Sequence, residues 1–129
     1  MAGHTILVIE DDALQREGLA AELSRQGFAV VTAEGGNDAL HLFSGHPAPD
    51  LILLDMLNPR GEYDGWWFLG HRQRNPALAS VPVVIMTSLS VASLVWAASL
   101  GAAGLVRKPF DEEPLHAEIR RCLGEKVQG

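Results

Sequence analysis

The chain has little cysteine and no long apolar run, and both absences limit where it can work. Cys122 is the single cysteine among 129 residues, so no internal disulfide can form, as is typical of proteins in a reducing compartment. No apolar run reaches the roughly 18 residues that a membrane span needs. The N-terminus also lacks the charged and apolar segments of a secretory signal. We therefore expect a cytoplasmic protein without a membrane partner.

Positive charge is scarce as well. Ten Lys and Arg residues stand against 16 Asp and Glu residues, which gives a formal net charge of −6. Binding to a nucleic-acid backbone needs several cations on one face, and the sequence contains no Lys/Arg cluster. We therefore expect no direct contact with nucleic acid.

Short apolar runs alternate with segments of helical spacing along the whole chain. The predicted strands cover residues 5–9, 29–32, 51–54, 83–86 and 105–106. The predicted helices cover residues 12–26, 37–43, 64–74, 91–100 and 112–123. This alternation predicts one α/β domain, a (βα)₅ doubly wound, flavodoxin-like fold with a five-stranded parallel sheet covered on both faces. In such sheets ligands bind outside the carboxyl ends of the strands.

Polar residues follow four of the predicted strands. Glu10 and Asp11 follow the first strand, Asp55 the third, Thr87 the fourth and Lys108 the fifth. Carboxylates gathered at one edge of a sheet repel one another unless a cation neutralises them. Mg²⁺ prefers oxygen ligands of this kind, and a lysine and a hydroxyl could bind anionic oxygens beside it. The pattern predicts a pocket for Mg²⁺ and an anion.

Together these residues resemble the receiver domain of bacterial two-component response regulators, the CheY-like superfamily. The resemblance rests on the acidic pair 10–11, Asp55, Thr87 and the Lys-Pro-Phe motif at 108–110, and it extends over about residues 5–123. It implies a single receiver domain over residues 1–129, and we expect no output domain. It also implies that the protein is no enzyme beyond catalysing its own phosphorylation and dephosphorylation.

The resemblance assigns roles to the residues at the strand ends. Asp55 would accept a phosphoryl group from a histidine kinase or a phosphotransfer protein. Mg²⁺ would be held by Glu10, Asp11, Asp55 and the backbone carbonyl of Leu57. Thr87 and Lys108 would bind the phosphoryl oxygens. The signal would pass to a downstream effector protein through the surface of helix 4, strand 5 and helix 5.

The sequence departs from the family pattern at several places. Leu105 stands where receivers commonly carry an aromatic ring that moves with the threonine. The loop after Asp55 is longer than usual by two residues, because four residues, 60–63, separate Pro59 from Asp64. We expect this loop to cover the pocket or contact the kinase. Leu57 and Leu89 flank the expected phosphoryl position, which predicts a long-lived phosphoryl group.

Helix 4 and helix 3 carry unusual apolar residues. Helical spacing predicts two faces for helix 4. The outward face is formed by Leu89, Trp96 and Leu100. The face that packs on the sheet is formed by Val91, Val95 and Ala98. We expect the outward face to bind a second copy of the chain or another partner; the alternative is that Trp96 folds back over the sheet. At the start of helix 3, Trp66 and Trp67 are interpreted as one buried and one partly exposed ring.

Simpler interpretations stay open for single residues. Asp12 is interpreted as the N-cap of helix 1, and Asp55 alone could form a turn.

Two other functions are also open. One is a receiver-like interaction module that works without phosphorylation, and the other is a small flavodoxin-like or hydrolytic enzyme. The second lacks both a Gly-x-Ser-x-Gly elbow and a flavin phosphate loop.

Overall fold

The structure, a computed structural model, describes residues 3–43, 47–56, 64–88, 93–109 and 111–124. Five strands alternate with five helices in these ranges: β1 Thr5–Ile9, α1 Ala13–Arg25, β2 Ala29–Ala33, α2 Gly36–Leu42, β3 Leu51–Asp55, α3 Asp64–Gln73, β4 Val83–Thr87, α4 Leu94–Ser99, β5 Gly104–Arg107 and α5 Glu112–Cys122. The strands pair in parallel in the order β2-β1-β3-β4-β5. The predicted doubly wound fold is therefore confirmed.

The central strands are buried on both faces, which explains their uninterrupted apolar sequences. One face of the sheet packs against α1 and α5 through Leu23, Leu115 and Ile119. The other face packs against α2, α3 and α4 through Ala39, Phe68 and Ala97. No helix in the described ranges is both long and apolar enough to cross a bilayer.

The first helix begins and ends where the sequence predicts. The Asp12 side chain accepts a hydrogen bond from the Gln15 N–H at 2.8 Å and so caps the helix. Gly27 follows the C-cap with φ +97°, a conformation that favours glycine. Leu23 lies fully inside the core. Because α1 is capped at Asp12, three residues, 10–12, lie between the end of β1 and the start of the helix.

The predicted faces of α4 are wrong. Val95 is 81% exposed and Ala98 is also exposed, whereas Trp96 and Leu100 are half-buried against the core below α2, α3 and α4. Ala97 is the buried residue of this helix. Apolar residues occupy successive positions from 94 to 98, so the sequence contains no periodicity that could set the rotation of this helix. Leu89 and Val91 lie outside the described residues.

The prediction for the tryptophan pair of α3 is wrong as well. Trp66 and Trp67 are 37% and 38% exposed, so neither ring is buried. Trp66 instead meets Trp96 edge to face at a centroid distance of 6.3 Å, and Trp67 stacks on His71 at 4.0 Å. The buried face of α3 is formed by Phe68 and Leu69. The Trp66 indole therefore links α3 to α4, whereas the Trp67 indole packs along α3 itself.

Candidate functional site

The sheet topology creates the site. From β1 the chain moves to one side to form β2 and then crosses to the other side to form β3, so the winding direction reverses between β1 and β3. Ligands bind at such a reversal because the loops leaving the two strands diverge there. Glu10 directly follows β1, and Asp55 is the last residue of β3. The carboxylates therefore lie on the two sides of this crevice.

The three predicted metal-binding carboxylates come together. Glu10, Asp11 and Asp55 each place a carboxylate oxygen within 4.8 Å of the others. Glu10 is 1% exposed, and the Asp55 side chain is 7% exposed. Burial at this level makes an unbalanced charge costly, because water screens it poorly.

Lys108 supplies one positive charge to the cluster. Its ammonium lies 2.6 Å from Glu10 Oε1 and 3.6 Å from Asp55 Oδ2. The backbone N–H of Lys108 donates to the Thr87 carbonyl at 2.8 Å, which fixes the residue at the end of β4. Its bond to Pro109 is cis. Counted over these four side chains alone, the three carboxylates and the ammonium carry a formal charge of −2.

The donor set fits a divalent cation. All three acidic side chains offer oxygen ligands, which Mg²⁺ prefers, and the charge excess matches that of the ion. The fourth predicted ligand, the Leu57 carbonyl, lies outside the described residues, as do Leu89 and the loop residues 60–63. Their predicted roles therefore stay predictions.

Thr87 and a glycine complete the surroundings. Thr87 is the last residue of β4 and is 1% exposed. A Cβ added to Gly65 in α3 would lie 2.8 Å from both Cα and Sδ of Met56, the residue after Asp55. Glycine therefore allows the first turn of α3 to pack directly against the chain leaving β3.

Two residues of the first turn of α1 contact the site without having been assigned a role there. The Gln15 side chain, which a capping box would direct back to Asp12, instead accepts from Lys108 Nζ at 2.7 Å. Arg16 donates to the carbonyl oxygens of Glu10 and Asp11. Their positions five residues after the acidic pair are the only sequence signal that could have indicated them.

Fold and site together define a doubly wound α/β protein with a cluster of three carboxylates, a candidate cation site, at its switch point. The response regulator receiver domain model matches residues 6–120. The chain therefore belongs to the response regulator receiver domain family, as the resemblance predicted.

Named relatives agree with this family. The phosphate regulon transcriptional regulatory protein PhoB of Escherichia coli is 36% identical over 119 residues, which are 92% of this chain and 51% of PhoB. The signal receiver domain of a signal transduction histidine kinase from Syntrophus aciditrophicus is 29% identical with a TM-score of 0.81, over 98% of this chain and 95% of that one. The chain spans about half the length of the curated relatives it matches.

The chemotaxis response regulator CheY4 of Vibrio cholerae supports the fold alone. It superimposes with a TM-score of 0.80 over 92% of this chain and 98% of its own, at 24% identity. Receiver domains, the family to which the chain belongs, are in general signalling modules rather than enzymes.

Proposed function

We propose that Asp55 accepts a phosphoryl group from a phosphohistidine of a histidine kinase or a phosphotransfer protein. One observation carries the proposal: carboxylate oxygens of Glu10, Asp11 and Asp55 lie within 4.8 Å of one another, with the Lys108 ammonium 3.6 Å from Asp55. This arrangement combines a nucleophilic oxygen, a candidate metal site and a fixed positive charge at one edge of the sheet.

The proposed transfer needs positioning and charge neutralisation more than covalent help. A carboxylate oxygen of Asp55 forms a bond to phosphorus while the phosphorus–nitrogen bond breaks. The electron pair of that bond returns to the imidazole, which takes up a proton from solvent, and an acyl phosphate remains. Lys108 and Thr87 would donate hydrogen bonds to the transferred oxygens. A divalent cation bound by the three carboxylates would neutralise charge on the same oxygens.

We further propose that the signal leaves through the surface of α4, β5 and α5 toward an effector protein in the cytoplasm. A groove runs between the two helices, lined by Leu94, Leu105, Pro109 and Glu118 among others. The predicted dimer face of Leu89, Trp96 and Leu100 does not serve here, because Trp96 and Leu100 pack inward. The large exposed apolar residues of α4 are Leu94 and Val95, and an apolar partner would cover them.

Intact-mass spectrometry after treatment with phosphoramidate and Mg²⁺ tests the acceptor. The wild type should gain the mass of one phosphoryl group, and Asp55→Asn should gain none. Asp38→Asn, which removes an exposed carboxylate from α2, is the matched control and should be modified like the wild type. A wild type that stays unmodified would instead support the interaction module that works without phosphorylation.

A further inference from the structure

Arg16 reaches from α1 back to the chain segment that carries the acidic pair. Its Nη1 donates to the carbonyl oxygen of Glu10 at 2.9 Å and to that of Asp11 at 3.3 Å. The Arg16 side chain is largely buried. One guanidinium group therefore bridges the backbones of two adjacent residues whose carboxylates belong to the candidate metal site.

The backbone of these two residues needs an external support. Successive side chains of an extended strand point to opposite faces, so neighbouring carboxylates do not converge in a regular strand. Glu10 and Asp11 converge because the chain leaves β1 after Ile9 and bends at Asp11. Like-charge repulsion between the carboxylates opposes this bend. Two hydrogen bonds from a rigid planar group resist the repulsion.

Glu34 offsets the charge that Arg16 brings to the site. Its Oε1 lies 3.7 Å from Arg16 Nη2, and it directly follows β2. The Glu10 N–H also donates to the Ala33 carbonyl at 3.1 Å, which joins the same strand ends. With its charge offset in this way, Arg16 affects the carboxylates mainly through geometry.

We propose that Arg16 is a positioning residue that holds the Glu10–Asp11 backbone in the bend required for divalent-cation binding. The inference rests on the cation site of the proposed function. The direction in which the affinity for a divalent cation changes on loss of Arg16 distinguishes this role from a simple charge effect. Loss of a nearby positive charge should by itself strengthen cation binding, whereas loss of the support should weaken it.

Isothermal titration of the full chain with MgCl₂, without any phosphodonor, tests the proposal. Arg16→Met keeps the aliphatic stem and removes every donor, and it should raise the Kd for Mg²⁺ about tenfold, as loss of groups that orient metal ligands does. Arg25→Met removes one charge from an exposed position of the same helix, and its Kd should stay within about twofold, since exposed charge pairs contribute little. An unchanged or lower Kd for Arg16→Met overturns the proposal.

Arg16→Lys keeps the charge but loses the planar fork, so it should also bind Mg²⁺ more weakly than the wild type. This variant decides the question if circular dichroism shows that Arg16→Met is unfolded, and wild-type affinity in Arg16→Lys would then overturn the proposal. A wild type that binds no Mg²⁺ removes the cation site and this inference together. A wild type that binds Mg²⁺ but is not phosphorylated removes the acceptor role and leaves the Arg16 result valid.

Discussion

Two charged clusters of this molecule differ in their balance of positive and negative charge. At the carboxyl end of the sheet, three carboxylates lie together, and the ammonium of Lys108 pairs with two of them, those of Glu10 and Asp55. At the edge strand β5, Glu118 and Arg121 of α5 pair one to one, with Arg121 Nε donating to Glu118 Oε1 at 2.7 Å. The first cluster keeps an excess of negative charge, whereas the second is balanced.

The balanced cluster also satisfies the backbone around it. Glu118 accepts from the Leu105 N–H at 3.0 Å, and Arg121 donates to the Ala103 carbonyl at 2.8 Å. The hydrogen bond from Arg121 is the main reason that the pKa of Glu118 lies below its usual value, and the same bond raises the pKa of Arg121. A cluster closed in this way fixes α5 on β5. The unbalanced charge at the carboxyl end of the sheet is therefore the feature that makes it the candidate cation site, whereas the balanced cluster has a structural role.

The largest expected effect concerns Lys108. Lys108→Met removes the cation 2.6 Å from the buried Glu10 carboxylate, and the free energy of unfolding should fall by about 3 kcal/mol, as when one member of a buried pair is removed. Urea unfolding without divalent cations measures it, and added Mg²⁺ should stabilise this variant more than the wild type. Arg74→Met, at an exposed position after α3, is the control. Equal stability of Lys108→Met and the wild type would contradict the charge imbalance.

Gly104→Ala should damage the balanced cluster by crowding. A Cβ there would lie 2.5 Å from Glu118 Oε2 and 3.0 Å from Cys122 Sγ, so Glu118 would have to leave the Leu105 N–H. We expect a loss of about 2 kcal/mol in the free energy of unfolding, and a much smaller further loss when the change is made in Glu118→Ala. Gly18→Ala is the matched control, because nothing lies within 4 Å of its added Cβ. Similar outcomes for the two glycines would refute this reason.

Glu118→Gln should cost about 1 kcal/mol at neutral pH, because a charge-assisted hydrogen bond becomes a neutral one. The pKa of Glu118 is lower in the folded state than in the unfolded state. Its contribution to stability is therefore complete above the unfolded pKa and is lost as the pH falls through the folded pKa. Urea unfolding at a series of pH values should show the two proteins converging in acid. Glu113→Gln, exposed on the same helix, should show no such convergence.

The smallest expected effect is an increase in stability, in the variant Asp55→Asn. Asp55→Asn removes one of three mutually repelling carboxylates, so the free energy of unfolding without divalent cations should rise by about 0.5 kcal/mol. Substitutions that remove an unfavourable interaction from a functional site often stabilise a protein in this way. Thermal unfolding measures this difference in stability, and at saturating Mg²⁺ the wild type should become the more stable of the two proteins. A variant less stable than the wild type in the absence of cations would show that Lys108 already outweighs the repulsion.

Much of the site could be predicted because it depends on strand ends. Buried parallel strands have apolar sequences that end abruptly, and the carboxyl ends of such strands share one edge. Glu10, Asp11, Asp55 and Lys108 could therefore be placed together before their distances were known. The contacts of Gln15 and Arg16 could not, because a capping box predicts that Gln15 turns back to Asp12 and no sequence pattern places Arg16 on the carbonyl oxygens of Glu10 and Asp11.

The sequence by itself determined the order of strands and helices, the family and the edge of the sheet where the acidic residues meet. These properties follow from runs of apolar residues and from caps such as Asp12, which act over a few positions. Only the tertiary structure decided the rotation of α4, because Leu94 to Ala98 are apolar without a period. It also decided that Glu118 pairs with Leu105 and Arg16 with the acidic backbone, since these contacts depend on how separate elements pack together.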